Sequence, residues 1–159
     1  MRGSGSVRRR RADREFEAYV AGAAPRLLRT AALLTAEPPE AAPLAGRLLE
    51  LSLARTYAAW GRLGGGEDPY EHTRSDLALR FARSAWRRRA PRGGPLSVLE
   101  PRARLVLVLR LYEGVAAEQI AALLALPEDL VEAVCAGAVH TLLHPRRAPG
   151  ARHAGPVAP

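Results

Sequence analysis

Lysine is missing from this 159-residue chain: all 24 of its Lys-plus-Arg positions are Arg, set against 16 Asp and Glu for a net charge of +8. Such a balance fits contact with a polyanion such as nucleic acid. A GC-rich coding sequence, which favours Arg, Ala, Gly and Pro codons, would give the same usage with no partner, so the placement of the charge has to decide. Cysteine is reduced to Cys135, which excludes an internal disulfide. Aromatic residues make up only 5% while Ala and Leu dominate, which argues against a sheet of aromatic and β-branched residues and for closely packed helices. Long apolar runs are lacking too. The longest, "LVLVLRLY" at 105–112, is too short and too interrupted to cross a bilayer. No stretch joins a charged start, an apolar core and a cleavage site, and the expectation is a cytoplasmic protein without membrane contact.

What is present is a hydrophobic content of 48%, enough for a real core in one domain or two small ones. Residues 1–12, "MRGSGSVRRRRA", are Gly, Ser and Arg with almost nothing apolar, and read as a disordered basic arm whose Arg8–Arg11 either touch phosphates or are simply solvated. A first helix follows from Phe16 to Leu34, with Pro25 as a bend or break. The Pro-rich turn "AEPPEAAP" precedes a second helix carrying Leu44, Leu48, Leu51, Tyr57 and Trp60. Asp68 and Pro69 open a third helix that runs to about Arg89 and ends in a basic cluster. "APRGGPLS", residues 90–97, is the linker to a second unit at 98–145, with helices expected over 101–112, 116–124 and 127–143; residues 146–159 read as a disordered tail. The continuous "LVLVL" has the composition of a buried strand, but its neighbours have helical periodicity, and helix is preferred. The fold class expected is all-α.

Several local patterns carry little. Gly64–Gly66 lack the preceding strand and the following Gly-Lys-Ser/Thr of a phosphate loop and read as a connector. His140 and His144 stand four apart on one helix, but with no Cys or third His nearby the expectation is no metal site; His residues at a helix end also suit the dipole there. Cys135 reads as a small core residue. No Ser-His-Asp, paired-carboxylate or nucleotide-binding pattern stands out, so neither an enzyme nor a cofactor is expected.

Residues 99–143, "LEPRARLVLVLRLYEGVAAEQIAALLALPEDLVEAVCAGAVHTLL", carry Leu99, Pro101, Arg102, Arg104, Tyr112, Glu113, Ile120, Leu123 and Val131 in a register that resembles the fourth conserved region of actinobacterial sigma factors of the extracytoplasmic-function type. The segments "FEAYV", "PRLLRTAALLT", "LARTYAAW", "EDPY" and "SAWRRR" resemble the second conserved region of the same family. The resemblance implies two small helical domains, 13–89 and 98–145, the second with a helix-turn-helix. It also implies an RNA polymerase core and promoter DNA as partners in transcription initiation, with an anti-sigma or other regulatory protein as a further partner.

The residues depart from that pattern in a consistent way. Within "EQIAALLALPEDLVEAV" the turn at Leu126–Pro127 would let Ile120 and Leu123 or Leu124 pack onto Val131 and Val134. Glu128 and Asp129 suit the positive end of the following helix. Yet the family's basic, hydroxyl and basic positions on the recognition helix fall on Glu132, Ala136 and Gly137, and there is no Arg from Leu111 to Pro145. A helix that brings negative charge starts at a deficit on DNA. The acidic pair used on the polymerase clamp falls on Gly46 and Arg47, and the Asn-Thr of the melting segment near Leu79 and Arg80. An extended 90–97 linker reaches at most about 28 Å, less than the roughly 34 Å of one DNA turn.

Two candidate surfaces result. Arg80, Arg83, Trp86, Arg87, Arg88 and Arg89 form the DNA-binding candidate, in which clustered guanidiniums match phosphates and Trp86 stacks on a base; equally, Trp86 can be core and the Arg a solvated face. Glu128, Asp129, Glu132, Ala136 and Gly137 form the protein-docking candidate. The function expected is a sigma-factor-like transcription protein, or alternatively a degenerate homologue that regulates through protein contacts without specific DNA binding.

Overall fold

A computed structural model describes residues 3–84 and 93–145. The described chain is all-helical and without strands: α1 (Gly3–Thr35), α2 (Pro43–Leu63), α3 (Pro69–Ser84), α4 (Pro101–Leu107) continued by a π-helical turn (Val108–Tyr112), α5 (Ala117–Leu124) and α6 (Glu128–Leu143). Prolines at the first helical position start α2, α3 and α4, where the missing N–H is no loss and φ is already helical. Trp86, Arg87, Arg88, Arg89 and the tail 146–159 lie outside the described residues.

The basic arm expected at 1–12 is instead, from Gly3 onward, the first turns of α1. Arginine is a good helix former, and side chains fix these turns. Arg11 Nε donates to Glu15 at 2.8 Å, and Tyr57 on α2 donates to Asp13 at 2.7 Å. Phe16 lies edge-on to Trp60 with ring centroids 5.1 Å apart, anchoring the next turn. Nor does Pro25 break α1. Its ring is exposed, while Ala23, Leu27, Ala31 and Leu34 hold both flanking turns in the core.

The "LVLVL" run is helical, and its continuity has a packing cause. Residues 105–109 are all buried because α4 touches α1, α3 and α6 at once, and a helix covered on several sides needs no polar stripe. The helix expected over 101–112 changes to wide i→i+5 bonding at Val108, and Glu113 N–H closes that turn on Val108 O at 3.0 Å. Buried residues of 23–81 and of 99–138 form one hydrophobic cluster, so the two units expected from the sequence share a core.

The described part of the expected linker, 93–97, is pinned to the end of α1. Gly94 N–H donates to Ala36 O at 3.0 Å, and Ala36 adopts a left-handed φ of 54° to present that carbonyl. Arg104, 2% exposed, donates Nε to Leu34 O at 2.6 Å and Nη1 to Leu96 O and Leu99 O at 3.4 and 3.3 Å. Its guanidinium thus satisfies the carbonyl end of α1 and the loop before α4 together. Glu37 serves α2 similarly: the buried carboxylate accepts from Leu44 N–H at 2.9 Å and Ala45 N–H at 2.8 Å.

Two glycines separate close packing from mere flexibility. A Cβ on Gly94 would stand 2.1 Å from Ala36 O, whereas one on Gly137 in α6 would meet nothing within 4 Å. Gly94→Ala is expected to lower unfolding stability by about 1–3 kcal/mol through overpacking, and Gly137→Ala to raise it by up to about 1 kcal/mol through helix propensity; urea midpoints measure both.

Candidate functional site

The expected DNA-binding surface is only partly within the described residues, and there its charge is mixed. Arg80 and Arg83 line a cleft of about 740 Å³ with Glu67, Asp68, Glu71 and Asp76. Asp76 receives Arg80 Nε at 2.5 Å and faces Arg55 Nε at 3.3 Å. A guanidinium engaged by its own helix has less to offer a phosphate, which leaves Arg83 as the exposed arginine of this pair. The acid four residues before Arg80 was visible in the sequence as the signal for this pairing.

The residues of the docking candidate are brought together. α5 and α6 are joined by the turn 125–127, in which Ala125 takes a left-handed φ of 53° and Leu126 N–H caps α5 on Ala121 O at 3.0 Å. Ile120 and Val131 are fully buried, and Leu123, Leu124 and Val134 pack against the same core. The opposite face of α6 presents Glu128, Asp129, Glu132, Ala136 and Gly137, all exposed. Arg110, at 4.0 Å, is the cation that approaches Glu132. Cys135 is buried on the inner face, and burial pushes its thiol up from the ordinary value. His140 and His144 stack with ring centroids 4.4 Å apart.

Sequence reasoning missed a charged site where the two halves meet. The Glu113 side chain is wholly buried, and its carboxylate accepts hydrogen bonds from the Thr30 hydroxyl of α1 and the Tyr70 hydroxyl of α3, the latter 3.0 Å from both oxygens. Arg26 Nη2 lies 3.7 Å and Arg74 Nη1 3.9 Å from Oε2. Arg26 also sits 5.8 Å from the ring centroids of Tyr70 and Tyr112 and donates to Tyr112 O at 3.4 Å. Burial, with the adjoining Glu113 charge and hydrogen bond, pushes the Tyr70 phenol far up. Such an anion holds two helices to a third, because each partner stabilises a charge that water cannot reach. Comparison of the chain with family models, curated proteins and solved structures finds no match.

Replacing Glu113 by Ala is expected to cost about 3–5 kcal/mol, as removal of one member of a buried ionic network does, measured by urea unfolding of the full chain. The Tyr70 shift also sets a pH response. Below pH about 10, the ordinary tyrosine value, the phenol keeps its proton folded or unfolded and its contribution is constant. Above that the unfolded chain ionises first and stability falls. Tyr70→Phe is expected to show a shallower fall than the parent in urea midpoints taken from pH 8 to 11.

Proposed function

We propose that this chain is a regulator of the sigma type that acts on transcription through protein contacts, with its last helix facing a protein rather than promoter DNA. The observation that carries the reading is the outward face of α6. It combines exposed Glu128, Asp129 and Glu132 with small Ala136 and Gly137 and contains no Arg. Acidic side chains on a surface repel phosphate, while a basic rim on a protein would complement them. Small residues let a partner helix approach closely. The engaged state of Arg80 supports the same reading, since it removes one cation from the expected DNA surface.

RNA polymerase core is the partner expected from the resemblance, and an anti-sigma protein is the second. The test is capture of RNA polymerase core by the tagged full chain, beside run-off transcription from promoter templates. Glu132→Lys with Gly137→Arg is expected to lower polymerase retention at least tenfold, with unchanged helical circular dichroism, and the parent is expected to give no promoter-specific transcript. Full retention by the double variant removes the docking role of α6, and a promoter-dependent transcript establishes initiation instead.

A further inference from the structure

The solvent face of α1 has a charge pattern that neither candidate surface absorbs. Arg8 and Arg26, and likewise Arg11 and Arg29, are separated by eighteen positions, or about five turns at 3.6 residues per turn, so each pair returns to the same side of the helix. All four are exposed. Between them on that side lie Ala18, Gly22 and Pro25, also exposed, so no long side chain blocks the path. Glu15, the acid on the stripe, is neutralised by Arg11 at 2.8 Å. Arg8, Arg10 and Arg29, on the outer half of the helix, have no acidic partner within ion-pairing distance among the described residues. The first turn of α1 contains no acid, so the helix dipole adds to the positive potential there.

The far end of the stripe opens into a cleft of about 480 Å³ lined by Pro25, Arg26, Arg29 and Tyr112. Arg26 is held in place by Glu113 and by the Tyr70 and Tyr112 rings, leaving Arg29 to face a ligand beside the half-buried Tyr112. Arg11 and Arg29 are about 27 Å apart along the axis at 1.5 Å per residue, comparable to about eight base steps at 3.4 Å each. From Asp13 onward the other side of the helix is held, through Phe16 on Trp60 and through Leu27, Ala31 and Leu34 in the core. The cations of the stripe are all guanidiniums, whose planar fork matches phosphate oxygens, and the large exposed apolar side chains of α1, Val7 and Leu28, do not make the apolar row that an interfacial membrane helix buries among acyl chains.

We propose that the outer face of α1 is a binding surface for the sugar-phosphate backbone of nucleic acid, with Arg8 and Arg10 at one end and Arg29 at the other. The surface has no built set of base-reading side chains, so it binds without sequence selectivity. It operates independently of α6 and whether or not α6 docks a protein.

The test is fluorescence anisotropy of a labelled 30-base-pair duplex with the full chain over a salt series. One variant replaces Arg8, Arg10 and Arg29 by Gln. It is expected to bind at least tenfold more weakly and to lose about 0.9 of log-log salt slope per contact removed. A second variant, Ala18→Glu with Gly22→Glu, keeps every Arg but sets acids on the path, where a Cβ at Gly22 meets nothing within 4 Å; it is expected to weaken binding comparably. Arg62→Gln with Arg102→Gln, both exposed on other helices, is expected to stay within twofold of the parent. An unchanged slope in the three-Arg variant, or full affinity in the two-Glu variant, overturns the proposal. So does binding of the parent to phosphatidylserine vesicles but not to the duplex.

Discussion

A carboxylate removed from water must be surrounded by groups that do water's work, and Glu113 draws those groups from two helices. Thr30 comes from α1, Tyr70 and Arg74 from α3, and the anion itself from the end of the π-helical turn. Moving any of these elements away would leave the charge unsolvated, a cost of several kcal/mol. The seam between the early and late helices is therefore held by a directional arrangement as well as by apolar contact. The aromatic walls around Arg26 follow from it, because the same anion that orients Tyr70 also positions the guanidinium between the Tyr70 and Tyr112 rings.

Two further buried ions apply the same logic to chain ends. Arg104 answers carbonyls at the close of α1 and in the loop at 96–99, while Glu37 answers amides at the opening of α2. Helix ends carry unpaired backbone groups. In both cases an ion from a distant or looped position satisfies them, where a short capping side chain would serve on the surface. The shared core thus tolerates helix termini inside it.

Much of this architecture was legible from spacing. Prolines at helix starts, the turn between α5 and α6, and the helical periodicity around "LVLVL" are local signals, and the structure places helices accordingly. Composition misled at Gly3–Ala12, because Gly, Ser and Arg resemble a disordered arm when the contacts from Asp13 and Phe16 to α2 are unseen. The exposed residues of α6 were legible because amphipathic periodicity states which face is left over. Glu113 was not: it stands at a bend after Tyr112, and nothing linear distinguishes a solvated acid from one that meets Thr30, 83 positions away. Arg104 was hidden in the same way, since its acceptors are backbone carbonyls and carbonyls have no sequence signature.

The separation of those partners along the chain bears on how the molecule is made. A chain emerging from its N-terminus completes α1, α2 and α3 before it contains either Arg104 or Glu113. Until then the Leu34 carbonyl and the Thr30 hydroxyl have only water or local bonds to turn to, and the apolar surface that will cover residues 105–109 stays open. The first half alone lacks the anion that Arg26 and Arg74 face in the finished molecule. Closure joins residues 70 and 83 positions apart, long-range contacts in an otherwise local helical fold, and they wait for a single arginine and a single glutamate from the second half of the chain.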